Sequence, residues 1–114
     1  MMDAGLRTFV LLVLSNVFMT AAWYGHLRFR DLSIPVAVLT AWGIAFFEYC
    51  FQVPANRIGY AGDLSAYQLK IMQEAITVVV FVGFAALWLG EGLTPRYALS
   101  LVLVGAGVAV AFGR

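Results

Sequence analysis

The chain has 114 residues, of which 63% are hydrophobic and 11% charged, and its mean hydropathy is +0.92. Soluble domains carry about 25% charged residues and are about half apolar, so a soluble fold with a soluble catalytic domain is excluded. A net charge of +1 excludes the basic surface of a nucleic-acid binder, and the single Cys50 excludes an internal disulfide.

The pattern predicts an all-α membrane protein of one domain. Four transmembrane helices, of about 20 residues each, would take up most of the length in a compact bundle with both termini on the same side. The first span covers about 6–27 and ends at the charge cluster Arg28, Arg30 and Asp31. Arg7, the run from Phe9 to Met19 and the small pair Ala21 and Ala22 imitate a signal peptide. Ser15 and Asn16 inside the run, and apolar character beyond it, favour a retained span.

The second span is expected over 33–54, with Ser33 as cap ahead of Pro35 and with Pro54 ending or kinking the helix. Cys50 falls inside its apolar run, which suggests a buried thiol. Asn56, Arg57, Gly59, Gly62 and Asp63 then read as turn chemistry. The third span, 65–89, has Ser65 as its cap and polar first turns. Its charge-free run from Ala75 to Leu89 is too short to cross alone, so Lys70 has to snorkel to the surface. Gly90, Glu91 and Gly92 form the third turn, and the last span occupies 95–113. Strand-type alternation is absent, which leaves helices as the way to satisfy the backbone in lipid.

Charge placement leaves orientation open. Arg7, Arg57, Lys70 and Arg114 fall on one side, and Arg28, Arg30 and Arg96 on the other. The positive-inside rule works on that difference. Either one orientation is weakly set, or the chain inserts both ways and pairs with an inverted copy.

Two acids, Glu48 and Glu74, lie inside the spans, each 13 residues from Ala61 and therefore at similar depth. If they meet in a low-dielectric site, both do not ionise easily. Helical spacing adds Gln52 and Asn56 to Glu48, and Lys70 and Thr77 to Glu74, with Gln73 beside them. Asn16, Thr20 and Tyr24 form a third stripe on the first helix. Uncompensated charge in lipid costs at least about 2.5 kcal/mol, so these stripes are expected to face a common interior as a cation, proton or solute site. Trp42 and Tyr49, one heptad apart near Glu48, are candidates for lining a pocket for an organic cation. The alternative is structural: Lys70 neutralises Glu74, and the polar groups hold helices together as in a scaffold or accessory subunit.

The remaining residues favour neither catalysis nor a cofactor. His26 has no second His or Cys at ligand spacing, so no metal is expected. No Gly-rich phosphate loop or nucleophile–base pair is legible. In the last helix Gly105, Ala109 and Gly113 recur every four residues, with Gly107 and Ala111 as a second pair. Such a face packs closely against another helix, here expected in a second protomer because four helices leave little interior for alternating access.

Several runs carry a resemblance. Gly90-Glu91, Leu93-Thr94-Pro95 and Gly105-Ala106-Gly107-Val108 resemble the repeat ending of the drug/metabolite transporter superfamily. Ser15 to Thr20, Trp23 to Leu27, Trp42 with Phe46 to Tyr49, Gln52 to Gly59 and Gln68 to Lys70 with Gln73 to Thr77 are similar to a bacterial four-helix family assigned to it, over nearly the whole chain. The resemblance implies a multi-pass inner-membrane transporter. Size and helix count are also similar to the small multidrug resistance family, which works as antiparallel homodimers exchanging protons for cations. That family depends on a glutamate in its first helix, where this chain has Asn16 and no acid. Glu48 and Glu74 would have to replace it.

Overall fold

The computed structural model describes residues 3–113, so Arg114 of the charge tally lies outside them. Four helices make up the fold: α1 (Ala4–Tyr24), α2 (Ile34–Ala61), α3 (Ala66–Phe84) and α4 (Pro95–Phe112). A 3-10 turn (Gly25–Arg28) extends α1, and a π-helical turn (Ala85–Leu89) extends α3. With these extensions all four are long and apolar enough to cross a membrane. No strand occurs among the described residues. Short connections make successive helices antiparallel, which brings Asp3, the α2–α3 turn and Gly113 to one end, called here the terminal end.

Local chemistry sets the helix starts. Asp3 Oδ1 accepts from Leu6 N–H at 2.8 Å and caps α1. Ser65 and Gln68 form a reciprocal capping box on α3, with bonds of 3.0 and 3.1 Å. Thr94 Oγ1 accepts from Tyr97 N–H ahead of α4, whose first residue is Pro95. Ser33 differs from the expectation: its side chain makes no capping bond, and only its carbonyl accepts, from Ala37 N–H.

Of the two outcomes expected at Pro54, an end or a kink, the end does not occur there. Helix α2 continues through it to Ala61, so most of the segment expected as a turn is helical. Proline removes one backbone donor, a loss that neighbouring helices offset in membrane spans. Here Ala55 and Gly59 are buried where α2 meets α1 and α3. A Cβ on Gly59 would stand 2.6 Å from Leu69 Cδ2 and 3.0 Å from Thr8 Cγ2, so the approach of the three helices requires a residue without a side chain. The chain reverses only at Gly62 and Asp63, the latter in left-handed backbone at φ 80°.

Helix α1 is central. It packs extensively on α2 and on α3, which touch each other little, while α4 packs on α3 alone among the described residues. The order of packing is therefore α2, α1, α3, α4. The core gathers Leu12, Ala55 and Ile76 from the first three helices. Phe18 of α1 stacks on Phe51 and Phe47 of α2, with centroids 5.5 and 6.0 Å apart. At the far end, Trp88 Nε1–H donates to the Gly25 carbonyl at 3.0 Å, and the Arg28 guanidinium lies 4.3 Å above the indole. Trp88 thus fastens the end of α3 to the end of α1 as well as lying at an interface. Cys50, expected to be buried, is exposed on the outer side of α2.

Candidate functional site

The buried polar residues of the described chain are Thr8, Ser15, Asn16, Thr20 and Glu48, four of them on α1. Their burial follows from α1 being covered on two sides. Glu48, 5% exposed, approaches α1 from α2, and its Oε1 lies 3.4 Å from Ser15 Oγ. Ser15 Oγ also lies 2.9 Å from Gln52 Oε1, one turn further along α2. A serine hydroxyl has one proton, so it donates to one of these acceptors at a time.

From Gln52 the chain of hydrogen bonds crosses to α3. Gln52 Nε2–H donates to Gln73 Oε1 at 2.9 Å, and Gln73 Nε2–H donates back to Gln52 Oε1 at 3.0 Å. One turn on, the Thr77 hydroxyl reaches the Gln73 carbonyl at 2.7 Å and Asn16 Oδ1 on α1. Asn16 Nδ2–H donates to the Leu12 carbonyl at 2.7 Å, which fixes the orientation of its amide. Six residues from three helices thus form one connected set at mid-span, joined between Gln73 and Thr77 through the Gln73 backbone carbonyl. The Thr20 hydroxyl, one turn beyond Asn16, is buried without a partner among the described residues.

The expected site residues divide into three groups. Glu48, Gln52 and Asn16 come together as the stripes implied. Glu74 does not join Glu48: its carboxylate closes on Lys70 Nζ at 2.7 Å, with side-chain exposures of 54% and 68%. Equal distance from the loop put the two acids at similar depth, but depth leaves the direction around each helix axis undetermined. Glu74 is on the exposed side of α3, while Gln73, one residue earlier, turns inward. Trp42 and Tyr49 are 73% and 60% exposed on α2 and line no cavity with Glu48. Asn56 is near the terminal end, away from the Glu48 cluster. Ser15, Gln73 and Thr77 are visible in the sequence as polar residues inside apolar runs, and their spacing puts Thr77 one turn from Gln73. The pairing across helices that makes them central has no signal in one sequence.

Two cavities flank this set. One, of about 580 Å³, lies between the end of α2 and the start of α3 and is lined by Asn56, Arg57, Tyr60, Lys70 and Gln73 among others. The second, of about 470 Å³, lies beside α3 and α4 towards the far end, where Tyr24, Thr77, Glu91, Tyr97 and Ser100 contribute. Gln73 borders the first and Thr77 the second, and the bond between them spans one helical turn. The cavities therefore approach the polar set from opposite ends. Their walls are otherwise mainly apolar, and no cluster of metal-ligating side chains occurs among the described residues.

Comparison with known proteins adds a family. The family model described as "Putative member of DMT superfamily (DUF486)" matches residues 8–112, and the chain belongs to that family. No curated protein and no solved structure matches it. The family and the four apolar helices make this a multi-pass membrane protein with transport as its function at the superfamily level.

Proposed function

From that family membership, we propose that the chain moves a small solute across a bacterial inner membrane, with Glu48 as its cation or proton site and with a homodimer as the working unit. The observation that carries this reading is Glu48 itself, a buried acid at mid-span whose nearest polar partner is one serine hydroxyl. Acids inside membrane spans are costly and serve ion or solute pathways more often than they serve packing. Asn16, Gln52, Gln73 and Thr77 supply polar lining that connects this site to both cavities. Lys70 and Glu74 neutralise each other on α3, which leaves Glu48 as the acid available for coupling.

A proton on Glu48 changes the set. Protonated, Glu48 can donate to Ser15 Oγ while Ser15 donates to Gln52; ionised, it accepts the Ser15 hydrogen bond and leaves Gln52 Oε1 with the bond from Gln73 alone. Rearrangement of this kind links proton binding to the α2–α3 amide pair, whose Gln73 borders the terminal-end cavity. The homodimer is supported by α4, which has no buried residue and whose Gly105 and Gly107 face open space. Gly105, Ala109 and Gly113 are the surface a second copy would take, parallel or inverted, while Gly107 and Ala111 point to the opposite side of α4.

The test is uptake of a panel of labelled amines and small metabolites into proteoliposomes, with and without a pH gradient, for wild type and Glu48→Gln. Transport lost in Glu48→Gln supports the site, and transport unchanged sinks it. The reciprocal Gln52–Gln73 pair favours one competing reading, a non-transporting scaffold whose polar groups clamp helices. On that reading no solute is taken up and Gln73→Leu loosens the fold without any change in flux.

A further inference from the structure

The terminal-end cavity has two cations among its lining residues. Arg57 of α2 and Lys70 of α3 both line it, each four residues from its helix end, or about 6 Å along the axis. Among the described residues Arg57 has no carboxylate partner, and Lys70 spends one of its three donors on Glu74. Asn56 and Tyr60 line the same cavity, and Ala61, Ala66 and Leu69 belong to its mainly apolar wall. Tyr60 and the neighbouring Tyr67 are 67% and 83% exposed at this level, as expected of side chains at the headgroup boundary.

We propose that this cavity binds the phosphate head of an anionic glycerophospholipid. The shared chemistry is a phosphate oxyanion held by a guanidinium, an ammonium and neutral donors. Lipid is the source because the cavity is open, lies between two helices long and apolar enough to cross a membrane, and combines cations about one turn inside the helix ends with an apolar wall that an acyl chain can follow. The site shares this cavity, through Gln73, with the path of the transport reading, but neither cation is part of the Glu48 set.

The test uses the full chain purified in detergent, with native mass spectrometry to read bound phosphatidylglycerol against phosphatidylcholine. Phosphatidylglycerol is expected to bind more tightly, and Arg57→Gln to weaken it about fivefold. Lys70→Gln with Glu74→Gln, which keeps the net charge, is expected to weaken it by a similar factor. Glu74→Gln alone frees the ammonium and tightens binding, while Arg96→Gln, at the other end of the chain's helices, changes nothing. Far-UV circular dichroism checks that each variant keeps wild-type helicity. Equal binding of the two lipids, no loss in either cation variant, or an equal loss in Arg96→Gln overturns the site. Inorganic phosphate separates the sources: bound lipid that persists in millimolar phosphate supports the lipid, and its displacement overturns the lipid in favour of a soluble anion.

Discussion

Ser15→Ala is the sharpest probe of the polar set, because one hydroxyl serves two acceptors on another helix. Removing Ser15 Oγ leaves Gln52 Oε1 with its bond from Gln73 but leaves Glu48 Oε1 with no partner among the described residues. An interhelical hydrogen bond in a membrane protein is worth about 0.6 kcal/mol on average and up to about 1.7. Of the two bonds that the serine makes in turn, the one at 2.9 Å is well formed and the one at 3.4 Å is long. A buried acceptor without a partner adds a desolvation cost of about 1–3 kcal/mol, which protonation of Glu48 reduces. The expected loss is about 1–2 kcal/mol, or roughly five- to thirtyfold in the unfolding equilibrium. Glu48→Gln should behave differently, since its amide can donate to Ser15 Oγ and leave the serine proton for Gln52. That variant is expected to stay within about 0.5 kcal/mol of wild type while losing coupled transport. Equilibrium unfolding in mixed micelles, followed by circular dichroism, measures both. A Ser15→Ala protein as stable as wild type, or a Glu48→Gln protein less stable than Ser15→Ala, would refute the proton-sharing argument.

The glycines give a pair of opposite signs. Gly59→Ala meets Leu69 and the bonded, fully buried Thr8, and should cost about 1–3 kcal/mol by overpacking. Gly83→Ala meets nothing within 4 Å and should gain about 0.5–1 kcal/mol, both read in the same unfolding assay. Trp88→Phe removes the indole donor to Gly25 and weakens the stacking of Arg28, so amide exchange in residues 25–28 should quicken about tenfold at unchanged global stability. Gly105→Leu should leave the monomer folded, because its surroundings are open, yet abolish cysteine cross-linking between α4 helices of two copies. Cross-linking that survives this change refutes the assignment of that face to the dimer.

What is legible in the sequence follows from the kind of force involved. Hydropathy and charge clusters are one-dimensional, so helix number, approximate ends and the Ser65 cap can be read from them. Pro54 misleads because a proline's effect depends on whether neighbours cover the helix beyond it, and Ala55 and Gly59 are covered. The stripe Glu48 and Gln52 is legible because it shares a face at i, i+4 spacing. For its partner stripe on α3, spacing alone points to the wrong face. Lys70 and Glu74 satisfy each other at i, i+4 on the outside, while Gln73 and Thr77, also at i, i+4, face inward. Both stripes obey the same periodicity, and only the neighbours of α3 decide which one is buried.

That choice has a physical logic. Of the two stripes, the charged one can satisfy itself through an intrahelical pair whose long lysine stem reaches the headgroup level. The amide and hydroxyl stripe has no such route to water and gains most from partners across the interface. Burying the neutral stripe therefore leaves a single acid, Glu48, in the interior. It is seated against α1, the helix covered on two sides, where solvent access is lowest. The first helix contains no acid of its own, yet its Ser15 receives one from α2 at mid-span. On the proposed reading, the position of Glu48 on α2 lets its protonation state pass through Ser15 of α1 to Gln52 and so to the α2–α3 amide pair.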